Sequence, residues 1–230
     1  MAAADAPVTQ AQDLRRSERV ERRRRQILDA AARVMQRTGY HGMSIQLLAE
    51  EADISVGLVY QYFGGKHEVL QAVIEDILSD FQRLLPDRIA AAGDDPRQRL
   101  VSAVRAYCEI IGAKRDAAVL AYRESPTLDR EGRDRIKDLE RQTVEPIRLI
   151  VENGLAAGVF RRIDPALVAH TVLMVAHGWA LKHWNLAPRM SLDDYIRQET
   201  DLLLRGLAAD PEPGPSATDA AAPTIEEPTP

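Results

Sequence analysis

Apolar positions recur along this chain at the 3.6-residue period of amphipathic helices, and no stretch shows the strict alternation of a strand. Ile27, Ala31, Val34 and Met35 predict a first helix, which Thr38-Gly39 ends. Ser44 is a candidate N-cap for a short second helix with Leu47, Leu48 and Ala52 on one face. Asp53-Ile54 leads tightly into Ser55, a second candidate N-cap. Leu58, Val59 and Phe63 are the apolar members of a still shorter helix, stopped by Gly64-Gly65. From Lys66 the stripe Leu70, Val73, Ile74, Ile77, Leu78, Phe81, Leu84 and Leu85 predicts a long helix, broken at Pro86.

Further on, Asp95-Pro96 pairs an N-cap with a first-turn proline and opens a helix through Leu100, Val104, Tyr107, Cys108 and Ile111. Residues 117–124 predict another, closed by Ser125-Pro126. A long helix over 129–155 has a strongly charged first half and Pro146 inside it, where a kink is expected. Asp164-Pro165 caps a helix to about residue 184 that is apolar nearly all round, so it needs cover on more than one side. Ser191 and Asp194 resemble a capping box at the start of the last helix, 191–206. The pattern predicts an all-α chain of about nine helices.

The stretch 44–66 carries the chemistry. Helix, tight turn and short helix is the arrangement whose second helix enters the DNA major groove. Gly57 stands in the first turn of that helix, where glycine costs about 1 kcal/mol relative to alanine; close backbone approach to an outside partner accounts for it. Gln61 suits a base edge. Tyr60, Tyr62 and the hydroxyls of Ser44 and Ser55 suit phosphate, and Lys66 adds charge. Gln46, Val56 and Arg24 complete the candidate DNA-binding set. Upstream, the arginine-rich run 15–25 offers charge to flanking phosphates.

Ser44-Ile45, Leu47-Leu48-Ala49 and the run from Ile54 to Lys66 resemble the DNA-binding domain of the TetR/AcrR family of bacterial transcriptional regulators. The resemblance extends upstream through residues 27–31 and Gly39-Tyr40, covering roughly residues 20–75. Val56 and Gln61 depart from residues common at those places, which bears on which operator is read.

Charge needs splitting before it informs. The whole chain carries −5, yet residues 1–66 hold 10 Lys and Arg against 8 Asp and Glu, and the remainder 20 against 27. A basic head on an acidic body suits DNA binding by one end. The expected organisation is a disordered segment 1–14, a helix-turn-helix domain with basic arm 15–66, a helical effector-binding and dimerisation domain 67–208, and a disordered tail 209–230. A single cysteine, Cys108, leaves no intramolecular disulfide and fits a reducing cytoplasm. No apolar run is long enough to cross a bilayer, and the alanine-rich start lacks the features of a signal peptide.

The resemblance implies a homodimer formed by the last two helices, with Val168, Val172, Val175, Trp179, Tyr195, Ile196, Glu199, Leu202 and Leu203 as candidate interface residues. It also implies a small-molecule pocket among the middle helices, with Tyr107, Cys108, Tyr122, Arg123, Glu124, Met174, His177 and Trp184 as candidate lining. Residues 122–125, with His183-Trp184, resemble members that sense fatty-acyl or steroid-derived CoA thioesters. The reading is therefore a repressor released by a small apolar or acyl-CoA-like effector, with an activator of the same fold or a non-specific architectural protein as alternatives. An enzyme lacks support: His170 and His177 stand seven apart without the carboxylate pairing of metal-binding helices, so neither a metal nor a cofactor is expected.

Overall fold

The computed structural model describes the backbone of residues 6–209 and the side chains of residues 15–209. The proposed tail from 210 onward and residues 1–5 lie outside the described residues. Among the described residues ten α-helices follow one another: α1 (Ala6–Gly42), α2 (Ile45–Glu51), α3 (Val56–Phe63), α4 (Lys66–Ala90), α5 (Pro96–Ala113), α6 (Arg115–Glu124), α7 (Arg130–Ala156), α8 (Pro165–Leu181), α9 (His183–Leu186) and α10 (Leu192–Leu207). A single 3-10 turn among the described residues, Ser125–Thr127, joins α6 to α7. No strand occurs among the described residues; the pairing of Phe160 with Ala208 is one isolated bridge.

Helix α1 starts well before Ile27. It takes in the arginine run and reaches back to Ala6, into the stretch read from sequence as disordered. Its regular course ends at Gly39, whose φ of 71° lies in the left-handed region that glycine tolerates. Ile27, Leu28, Ala31, Val34 and Met35 are all buried, together with Leu48, Val59 and Phe63 of the next two helices. Gln26 Nε2 donates to the Ala52 carbonyl at 3.1 Å, and Arg33 and Arg37 both reach Glu51, at 3.1 and 2.7 Å. These contacts tie α1 to the end of α2.

Pro86 does not end α4. The helix continues to Ala90 with the proline inside it. An interior proline costs about 3 kcal/mol. Leu85 on one side and Ile89 on the other are both buried, and each contributes roughly 1.5–3 kcal/mol of apolar burial. That burial holds the helix together across the proline.

Helix α4 packs against α1 and α3 at its start, then against α5, α6 and α7. It runs from the head into the body, and α1 also packs on α6. At the head–body joint, Asp76 is buried on α4 and Lys114 at the α5–α6 junction donates to it at 2.7 Å. Asp29 of α1 lies 3.3 Å from the same ammonium, Asp80 lies 4.0 Å from it, and Arg24 lies 4.0 Å from Asp76. Burial pulls the Lys114 pKa down, but the Asp76 hydrogen bond and charge outweigh it and hold the net value above the ordinary range.

Candidate nucleic-acid interface and body cavity

Two serines set the geometry of the head. Ser44 Oγ accepts from Leu47 N–H at 3.1 Å and Ser55 Oγ accepts from Leu58 N–H at 3.2 Å, capping α2 and α3. Capping uses an oxygen lone pair, so each hydroxyl hydrogen stays available to an outside acceptor. The turn between the helices is a Schellman motif: Ile54 N–H donates to Ala49 O at 3.0 Å and Asp53 N–H to Glu50 O at 3.2 Å. Its left-handed position is filled by Asp53 (φ 53°) rather than glycine, as short polar side chains allow. Sequence alone does not flag this residue, because the usual glycine signal is missing.

Helix α3 presents two faces. Val59 and Phe63 are buried, while Val56, Gly57, Tyr60 and Gln61 share the outer face, with Tyr60 52% exposed. A Cβ built on Gly57 would meet nothing within 4 Å, and its φ is not positive. The fold itself therefore does not require glycine there. Gln46 is exposed on the first turn of α2, and Tyr62 is half-buried beside Phe63.

Two residues of the sequence-derived DNA set turn inward. Arg24 precedes Ile27 and Leu28 by three and four positions, so it shares their buried face of α1. Its guanidinium lies 5.7 Å from the Phe63 ring centroid and faces Asp76. Lys66 donates to the His41 carbonyl at 3.0 Å and sits 4.6 Å from the Tyr40 ring centroid, because the glycine pair folds α4 back beside that loop. Arg15, Arg16, Arg19, Arg22 and Arg23 are exposed along α1.

In the body, a cavity of about 260 Å³ lies between α4, α5, α6, α7 and α8. Its floor is apolar: Ile74, Ile77, Phe81 and Ile111 are buried. Tyr122, Glu140, His170, Met174 and His177 give the lining its polar and polarisable atoms. The Tyr122 hydroxyl and His177 Nδ1 share a hydrogen bond of 2.7 Å, with the rings edge to face. Burial lowers the His177 pKa to about 4, so the ring is neutral at pH 7. Desolvation raises the Glu140 carboxyl above its ordinary range.

Three of the eight expected lining residues, Tyr122, Met174 and His177, face this cavity. Tyr107 is instead sealed in the core, its ring 4.2 Å from that of Phe81. Cys108 is fully buried, and that burial pushes its thiol up to about 12. Arg123 and Glu124 belong to the joint: Tyr40 N–H donates to Glu124 Oε1 at 3.4 Å, and Arg123 is exposed beside it. Trp184, on α9, is 75% exposed and away from the cavity.

The expected dimer set divides in the same way. Val168, Val172, Trp179, Tyr195 and Ile196 are buried within the single chain, where α8 and α10 pack on α5. Tyr195 also donates to the Val175 carbonyl at 2.7 Å. Val175, Glu199 and Leu203 are half-buried, and Leu202 is 66% exposed. The outward apolar residues include Leu167 on α8.

A capped helix-turn-helix on a helical body defines a DNA-binding transcriptional regulator rather than an enzyme. Residues 27–73 match the family model of bacterial regulatory proteins of the tetR family, and residues 93–207 match that of the tetracyclin repressor-like C-terminal domain. The chain belongs to the TetR family. It is 38% identical over 185 residues to the HTH-type transcriptional regulator HbdR of Aromatoleum sp. (strain CIB), a match spanning 80% of each chain. The crystal structure of the TetR family regulator PfmR from Thermus thermophilus is similar at 27% identity and a TM-score of 0.69, over 79% of this chain and 98% of that one. AibR, solved with isovaleryl coenzyme A and operator DNA, shares the fold at 22% identity and a TM-score of 0.67, over 79% and 98%. No helix among the described residues is long and apolar enough to cross a membrane.

Proposed function

We propose that the protein is a cytoplasmic, ligand-responsive repressor that binds a palindromic operator as a homodimer and is released by a small apolar or acyl-CoA-like effector. The observation that carries the reading is one helix, α4, that begins beside α3 and goes on to wall the body cavity with Ile74, Ile77, Leu78 and Phe81. A ligand that favours one tilt of α4 shifts the spacing of two recognition helices, and only differential affinity for the two spacings drives the shift. The matched spacing on B-DNA is about 34–36 Å or a multiple.

On this reading Gly57, Tyr60 and Gln61 meet the major groove, Ser44, Gln46, Ser55, Val56 and Tyr62 flank it, and the exposed arginines of α1 neutralise phosphates. Lys66 keeps spare donors for a phosphate beside its bond to His41. Leu167, Val175, Leu202 and Leu203 are the proposed dimer contacts. The coenzyme A thioester bound by AibR supports the acyl-CoA version of the effector.

The test is a competition gel shift on the operator selected by the protein from random DNA, with a panel of acyl-CoAs, free acids, steroids and cationic drugs. An effector that binds but never changes operator affinity would overturn the shared-helix mechanism. Effector and operator must weaken each other by the same factor.

A further inference from the structure

Residues 15–23 of α1 are exposed throughout, and the first buried residue among the described part of the helix is Ile27. This segment projects past the packed head as a continuation of one helix. At a rise of 1.5 Å per residue it is about 13 Å long. Its arginines fall into two sets. Arg23 bonds to Gln26, Arg24 faces Asp76 and Arg25 pairs with Glu21, so these three serve the helix and the joint. Arg15, Arg19 and Arg22 recur at steps of four and three, which puts them on one face. Arg16 borders that stripe on one side and Glu18 on the other. The same face continues through Gln26, Arg33 and Arg37, which bond to Ala52 and Glu51 at the end of α2. The stripe therefore lies on the side of α1 where the chain turns toward Ser55 and the start of α3.

Exposed guanidinium groups on that side suit phosphate. An α-helix with its side chains is about 10–12 Å across, too wide for a minor groove of about 6 Å. A helical arm meets the sugar-phosphate backbone and not the floor of that groove. Resting on the reading of α3 as the recognition helix, we propose that the projecting part of α1 is a second DNA site, specific to duplex but not to sequence. Arg15, Arg19 and Arg22 hold phosphates outside the bases that α3 reads, so affinity depends on flanking duplex beyond the operator itself.

Fluorescence anisotropy of the full chain tests this with two labelled duplexes. One is the operator core selected from random DNA; the other is the same core with about ten random base pairs added on each side, enough to cover the arm. The unmodified protein should bind the longer duplex about tenfold more tightly, and the slope of log affinity against log salt should be steeper there by about 0.9 for each phosphate held. Arg15→Ala, Arg19→Ala and Arg22→Ala combined should bind the two duplexes alike. Alanine favours the helix, and circular dichroism checks it; if helix is lost, the three glutamine substitutions serve instead. Single variants separate face from charge: Arg19→Ala should make the slope on the longer duplex shallower, and Arg25→Ala should not. Equal affinity of the unmodified protein for both duplexes overturns the proposal, as does a flank effect that survives in the triple variant. Equal changes in Arg19→Ala and Arg25→Ala overturn the stripe, since bulk charge then accounts for the effect. A flank effect confined to A·T-rich flanks overturns the phosphate contact in favour of minor-groove insertion. Selection of no motif from random DNA overturns the reading of α3, and the placement of the arm with it.

Discussion

At the scale of single residues, Gly57 and Gln61 separate stability from recognition. Nothing lies within 4 Å of a Cβ at Gly57, so Gly57→Ala should raise helix stability by about 0.5–1 kcal/mol. Thermal melts should move up while operator affinity, read by fluorescence anisotropy, falls, because the added methyl stands between the helix backbone and DNA. Unchanged affinity would remove the close-approach argument. Gln61→Ala should relax base preference at one or two operator positions and cost about 1–3 kcal/mol on the preferred site; an unchanged selected motif would assign specificity elsewhere. His177 makes a pH prediction. Its folded pKa, about 4, lies below the ordinary 6.5, so the unfolded chain binds its proton first as pH falls. The resulting loss sets in as pH drops through 6.5, grows to about 2–3 kcal/mol by pH 4, and then levels off. His177→Gln should flatten urea midpoints against pH in that window; parallel curves for the two proteins would contradict it.

Among elements, the joint between α1, α4 and the α5–α6 junction is held by charge inside a partly dry seam. Asp76 is only 5% exposed, and Lys114 is its closest cation. Lys114→Met should destabilise the chain by about 2–4 kcal/mol, since it strands a buried carboxylate. Asp76→Asn added to it should recover part of the loss, and the coupling is read from a double-mutant cycle in urea. Strict additivity would mean that the two groups do not interact. The same joint explains why Arg123 and Glu124 were misplaced from sequence. Their spacing on α6 says which face of the helix they occupy, not which neighbour that face meets, and the neighbour is the Tyr40 loop of the head.

For the whole molecule, the decisive measurement is its oligomeric state. Leu202 is exposed and apolar on α10. Leu202→Glu should place like charges from two copies in one seam, where desolvation costs several kcal/mol. Light scattering should report half the mass, with operator affinity falling alongside. A variant that stays dimeric and still binds operator would put the interface elsewhere. A charge at Leu203 would be a weaker probe, because that residue is half-buried inside the chain and the change would disturb the fold as well.

Local rules carried the reading furthest where a residue's role depends on its own neighbours in the chain. Both N-cap serines, the apolar stripe of α4 and the outer face of α3 follow from hydrogen-bonding chemistry and a 3.6-residue period. The same period puts Arg24 with Ile27 and Leu28 on the inner face of α1, yet the charge of the run made it a DNA-contact candidate from sequence. Where packing between distant segments decides, pattern was silent. Val172 and Trp179 are apolar, and their sequence does not say whether the partner that covers them belongs to the same chain; α5 covers them. Pro86 reads as a stop until the burial of Leu85 and Ile89 is known. The cavity is the extreme case. Its lining comes from five helices far apart in sequence, which only their assembly in three dimensions brings together.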